Sequence, residues 1–147
     1  MFRKLIPQQL HILRDVYSQD LMTNISTQQV LTHFIERFEK YPKWSENVHF
    51  FSPKNSNLSK DGTFVLVNEH QIQFDTLEPP PYTNIIKILS SLDFSERKMF
   101  VNVRENYRHI IIDDLTRLLN LEKIYDQGRR LMKCPVENET FKEFIQE

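Results

Sequence analysis

The stretch from Asp61 to Leu77, DGTFVLVNEHQIQFDTL, constrains the chain more than any other. Asp61-Gly62 is turn chemistry, because glycine takes positive φ without steric cost. Thr63 to Val67 is β-branched and aromatic and apolar on both faces, which predicts a central strand with Phe64, Val65, Leu66 and Val67 almost fully buried. In Gln71 to Leu77, Ile72, Phe74 and Thr76 alternate with Gln71, Gln73 and Asp75, the pattern of a half-buried strand. Asn68, Glu69 and His70 join the two within hairpin loop lengths.

Around this pair the apolar spacing predicts helices. Pro7 suits a first helical position, and Leu10, Leu13, Val16 and Tyr17 follow at helical spacing to about Gln19. Ser26 and Gln29 fit a capping box, with Ser26 as N-cap of a second helix that carries Val30, Phe34 and Phe38 and stops near Tyr41, before Pro42. Val48 to Phe51 reads as a short strand and Ser52 to Lys60 as a loop. Pro79-Pro80-Pro81 closes the hairpin and opens a third helix with Tyr82, Ile85, Ile86, Leu89 and Leu92 on its apolar face. Met99 to Val103 is a strand, and Glu105 to Asn120 a fourth helix. Leu121 to Tyr125 and Arg130 to Cys134 form a closing hairpin. The expected order is α-α-β-β-β-α-β-α-β-β. It is an α/β chain with a mixed central sheet: one domain over 1–135, with 136–147 a tail or the start of a linker. Phe141, Phe144 and Ile145 in that tail are apolar and would seek a surface.

Composition excludes several function classes. The 147 residues carry a formal charge of −1, without the basic excess of a general nucleic-acid or membrane-surface binder. Residues 96–133 hold nine Lys/Arg against six Asp/Glu, an imbalance read as solvation. Cys134 is the single cysteine, so no internal disulfide forms and a reducing compartment is expected. No apolar run nears the ~18 residues of a membrane span. The start has no secretory pattern, and Asp15 and Asp20 weaken a mitochondrial presequence, so the expected location is cytoplasmic, with a mitochondrial one left open. Only Gly62 and Gly128 are glycine, against about ten in an average chain of this length, which nearly excludes a Gly-rich phosphate cradle.

Candidate chemistry is sparse. His11, His33, His49, His70 and His109 are scattered without the converging ligands a metal needs, so surface or satisfied-core roles are expected and no metal. Cys134 has no neighbouring base and reads as a small apolar residue. Asp113 and Asp114 point about 100° apart on a helix; Asp114 is a general base at most, and more simply an ion-pair partner of Arg117 or Arg108. Glu69-His70 sits in a solvated turn. Arg104, Arg108, Arg129 and Arg130 would form an anion site if the fourth helix starts beside the closing hairpin; ordinary surface charge is the simpler account. Tyr41 and Trp44 flank Pro42 and Lys43, as a staple at the helix-strand corner or as a binding platform. No catalytic residue is assigned.

The wording DGTFVLV, QIQFDTL and Leu89-Ser90-Ser91-Leu92-Asp93-Phe94, with Leu13-Arg14-Asp15-Val16-Tyr17 and Tyr41-Pro42-Lys43-Trp44, resembles the N-terminal half of glycine N-acyltransferase-like proteins of the insect type, over about Leu5 to Pro135. The resemblance implies an acetyltransferase-like (GNAT) fold that has lost its acyl-CoA signature, beside a second half that binds acyl-CoA and acylates an amino-acid amine. The family's phosphate loop, Arg/Gln-x-x-Gly-x-Gly/Ala, would fall on Leu77-Glu78-Pro79-Pro80-Pro81, which has no glycine. No cofactor-binding residue is therefore carried over. The expectations are no cofactor in this chain, acyl-CoA only through the family, and a catalytic second half or a protein partner. The alternative is a non-catalytic interaction or dimerisation module. Neither nucleic acid nor membrane is an expected partner.

Overall fold

The computed structural model describes residues 2–43, 47–94, 98–107, 113–118, 122–126 and 130–133. The element order is β1 (Phe2–Lys4), α1 (Pro7–Ser18), α2 (Leu21–Lys40), β2 (Val48–Pro53), α3 (Leu58–Asp61), β3 (Phe64–Asn68), β4 (Gln71–Asp75), α4 (Thr83–Ser90), β5 (Lys98–Phe100), α5 (Glu105–Tyr107), α6 (Asp113–Leu118), β6 (Glu122–Asp126) and β7 (Arg130–Lys133). The strands make one mixed sheet in the order β1-β2-β3-β4-β5-β7-β6. Only β4 and β5 pair in parallel, through Gln71↔Met99 and Ile72↔Phe100; every other pairing is antiparallel.

Helices cover both faces. On one face Leu10, Leu13, Tyr17, Leu31, Phe34 and Phe38 of α1 and α2, with Leu58 of α3, pack on Val48, Phe50, Phe64 and Leu66. On the other, Ile85, Ile88 and Leu89 of α4 pack with Tyr107 and Leu115 on Val65, Ile72, Phe74 and Phe100. A strand between two helical layers must be apolar on both sides, which is why Phe64 and Val65 are fully buried and Leu66 nearly so. Each buries about 1.5–3 kcal/mol of side chain. Val67 departs from its expectation: near the hairpin end, it packs against the rim of the α4-side core and is only half-buried.

The mixed sheet and the central hairpin are as expected, and Glu69-His70 is a two-residue exposed turn with Glu69 at φ 56°. Several boundaries differ. β1 was not foreseen: three residues carry no periodic signal, and the edge strand forms because Arg3 faces Ser52 and Phe2 packs edge-on to Phe51 at 5.3 Å. α3 lies inside the segment expected to be a loop. It is a single turn started by Asn57, whose Oδ1 accepts from the Ser59 N–H at 3.1 Å, and ended by Gly62 at φ 58°. Ser26 is not an N-cap. It lies within α2, which begins at Asp20 and is broken by non-helical geometry at Asn24 (φ −114°, ψ 16°). The strand expected over Met99 to Val103 is β5 at Lys98–Phe100. Of the fourth helix, α5 and α6 are described, and 108–112 and 119–120 lie outside the described residues.

Candidate functional site

Two of the three polar residues of β4 are hidden from solvent, and the third, Gln71 at the hairpin end, is exposed. Gln71, Gln73 and Asp75 alternate to the α1–α2 side, where the sheet is covered, and Gln73 and Asp75 are buried at 8% and 2% exposure. The reading of β4 as a half-buried strand is corrected at Gln73 and Asp75, which are buried on the α2 side, with Thr27 of α2 bonded to Asp75.

Asp75 is fully engaged. Its Oδ2 accepts from Arg104 Nη2 at 2.8 Å and from the Thr27 hydroxyl at 2.6 Å. Its Oδ1 accepts from the Tyr107 hydroxyl at 2.5 Å and from the Thr76 N–H at 2.8 Å. Arg104 Nη2 also donates to Asn24 Oδ1 at 2.7 Å, which draws on the residue where α2 kinks. The cluster thus ties α2, the end of β4 and the segment after β5. A buried carboxylate persists when paired and hydrogen-bonded in this way. Burial, and then the charge of Asp75, hold the Tyr107 hydroxyl far above its ordinary pKa; burial foremost does the same to Tyr17, whose hydroxyl donates to Gly62 O at 2.6 Å. A carboxylate with both oxygens taken is no general base, and a phenol so strongly held is a poor acid. The cluster is a structural clamp.

The junction between β4 and α4 borders a cavity of about 710 Å³, lined by Leu77, Glu78, Pro79 and Asn84 together with Lys60 and Lys87, and its polar groups bond to one another. Glu78 accepts from the Thr63 hydroxyl at 3.0 Å and from Asn84 Nδ2 at 3.0 and 3.1 Å, at the first turn of α4. Thr63 Oγ1 lies 2.7 Å from Thr76 Oγ1. The Pro80-Pro81 bond is cis, and Tyr82 enters α4 at φ 60°. Glu78 thus meets α4 through the Asn84 side chain, while α4 itself has no side-chain cap.

The remaining candidates stay apart. Arg104 is committed to Asp75 instead of an anion site; Arg108 and Arg129 lie outside the described residues, and Arg130 is in β7. Asp114 pairs with Arg117 at 2.9 Å, the plain surface role. His11 lies between Arg14, at 3.2 Å, and Glu39, at 3.6 Å. His33 packs edge-on to Phe34, and His49 stacks on Phe51, with burial and then Lys4 lowering its pKa. His70 is exposed in the turn. Among the described residues no group of three or more His, Cys, Asp or Glu could hold a metal, and no helix is long and apolar enough to cross a membrane. Tyr41 is half-exposed beneath Lys40 Nζ at 5.6 Å from its ring. Trp44, His109, Cys134 and the tail residues Phe141, Phe144 and Ile145 lie outside the described residues. Sequence reasoning missed Asp75, Gln73 and Tyr107 as a site, because their partners are dozens of residues away and no local spacing announces them.

The described residues define an α/β protein with a mixed sheet covered on both faces. A Drosophila protein, solved by X-ray crystallography as a structural-genomics target, shares this fold: it matches 82% of the chain at a TM-score of 0.67 and 13% identity, and the chain spans 46% of that protein. No protein-family model and no curated protein sequence matches the chain.

Proposed function

We propose that the chain is the non-catalytic, acetyltransferase-like half of a glycine N-acyltransferase-like protein. The wording of the central block supports the family. The single parallel pair, β4 with β5 around the intervening α4, in an otherwise antiparallel sheet supports the GNAT topology. The observation that carries the reading is the β4–α4 junction. Coenzyme A needs backbone N–H groups there for its pyrophosphate. Pro79, Pro80 and Pro81 offer none, and Glu78 sets a carboxylate on the first turn of α4. Acyl-CoA therefore belongs to the second half of such a protein, and the cytoplasm is the location that fits. The test is calorimetry of residues 1–147 with acyl-CoA, joined to a thiol-release assay over a panel of amino acids. No binding up to millimolar acyl-CoA and no amino-acid-dependent thiol release are expected. Micromolar binding, or steady thiol release that depends on the amino acid, would overturn the proposal.

A second reading, a protein-interaction module, rests on a different observation. Leu21, Met22 and Ile25 stand exposed at 46%, 94% and 49% on the opening turns of α2. Light scattering tests it: a monomer at all concentrations that recovers no partner counts against it.

A further inference from the structure

A groove of about 560 Å³ runs between α2 and the β4–β5 seam, on the α1–α2 side of the sheet. Gln29 and His33 of α2 form one wall, Leu66, Gln71 and Gln73 the floor, and Asn102 the far lip. One feature separates it from an ordinary surface dent. Gln73 is more than nine-tenths buried, and among the described residues its carboxamide has no hydrogen-bond partner. A buried amide left unpaired is costly, so such a group in a groove floor marks a place where something else supplies the partner.

The lining states what fits. Among the described residues it holds no carboxylate, ammonium or guanidinium, and its one ionisable side chain is the His33 imidazole, so a charged ligand would lose its hydration without a fixed counter-ion. Apolar wall is supplied by Val30, Phe34 and Val101 beside Leu66, and the volume is that of a small-molecule site. A carboxamide presents a donor and an acceptor side by side, and the group that answers both at once is another amide. We infer that this groove binds a small, uncharged, amide-bearing molecule, whose N–H and C=O pair with the Gln73 carboxamide. The inference does not rest on the family reading, since the groove lies on the opposite side of β4 from α4 and is built without Glu78 or the prolines.

The experiment is a titration of the isotope-labelled chain with N-acetylglycinamide, followed through the side-chain amide signals of glutamine. Its charged counterpart, N-acetylglycine, is run in parallel. Saturating shifts centred on Gln73 are expected by ~50 mM probe, where a millimolar Kd fills the site. N-acetylglycine should bind at least about tenfold more weakly. Gln73→Met, which keeps length and removes both hydrogen-bonding atoms, should weaken the probe at least about tenfold while leaving the backbone spectrum folded. Gln29→Trp, an exposed change that closes the mouth with Gln73 intact, should do the same. Absence of shifts at Gln73 would mean that water alone pairs with the amide, and would overturn the inference. So would equal binding of the carboxylate probe, or unchanged binding in Gln73→Met. Acyl-CoA binding plays no part in these readouts, so failure here and failure of the family reading are told apart.

Discussion

Arg104→Met removes the cation from the Asp75 cluster while keeping much of the apolar stem. Asp75 is 2% exposed, so its charge has no access to bulk water once Arg104 Nη2, at 2.8 Å, is gone. The hydrogen bonds from Thr27, Tyr107 and Thr76 remain, and they are neutral donors that soften the loss without cancelling it. Breaking a buried pair by deleting one partner costs about 3–5 kcal/mol, most of it for the charge left behind. The loss of the 2.7 Å bond to Asn24 adds to this at the α2 kink. For a chain of this length the change corresponds to a drop in Tm of roughly 6–20 °C. Urea unfolding followed by circular dichroism measures it, with the midpoint read against an unchanged slope. The double variant Arg104→Met/Asp75→Leu should recover most of the loss, because an apolar pair leaves no orphan charge. A cost below about 1 kcal/mol for Arg104→Met, or a double variant no better than the single, would refute the idea that Arg104 neutralises Asp75.

Gly62→Ala should destabilise by about 1–2 kcal/mol from its φ of 58° alone, and more because the new Cβ would lie 3.1 Å from the Tyr17 ring; urea unfolding against Gly62→Asn, which tolerates this φ better, separates the two effects. Ser26→Ala, at an exposed position inside α2, should stay within about ±0.5 kcal/mol, where a true N-cap would lose 0.5–2; thermal melts decide it. Tyr17 and Tyr107 keep their protons in the folded state while unfolded tyrosine ionises near pH ~10. The stability they contribute is complete below about pH 10 and falls above it, by roughly 1.4 kcal/mol per tyrosine and pH unit. Absorbance at the tyrosinate band should therefore show two groups that titrate only as the chain unfolds, and Tyr107→Phe should remove one of them.

The elements that were legible are those whose signal is local. The first helix was readable because Leu10, Leu13, Val16 and Tyr17 recur every three or four residues, and all four are buried. The Asp61–Leu77 hairpin was readable because Gly62 and the apolar run fix both turn and strand. Alternation in β4 located the strand but not its surroundings: period two says that two faces differ, not that one is wet. Asp75 was taken for a solvent residue since its partners Thr27 and Arg104 come from elements far along the chain. Ser26 matched a capping pattern, but the helix starts earlier, with Asp20 as the cap that accepts from the Thr23 N–H. Of the arginines grouped by sequence, Arg104 alone has a described side-chain partner, and that partner is the carboxylate that the alternation had hidden.

The order in which the clamp's members leave the ribosome matters for how the chain folds. Asp75 is synthesised before Arg104 and Tyr107, so the first four strands and three helices exist while their innermost carboxylate still lacks its cation. β3 can zip to β4 at that point, since the hairpin pairing is local. Sealing α2 over Asp75 must wait, because closure would bury a bare charge. A released fragment ending at Leu77 should therefore show protected amides in β3 yet rapid exchange around Thr27, and protection there should appear only in fragments that extend past Tyr107. The salt link thus doubles as a timing device, keeping the sheet's α2 face open until the second half of the chain has been made.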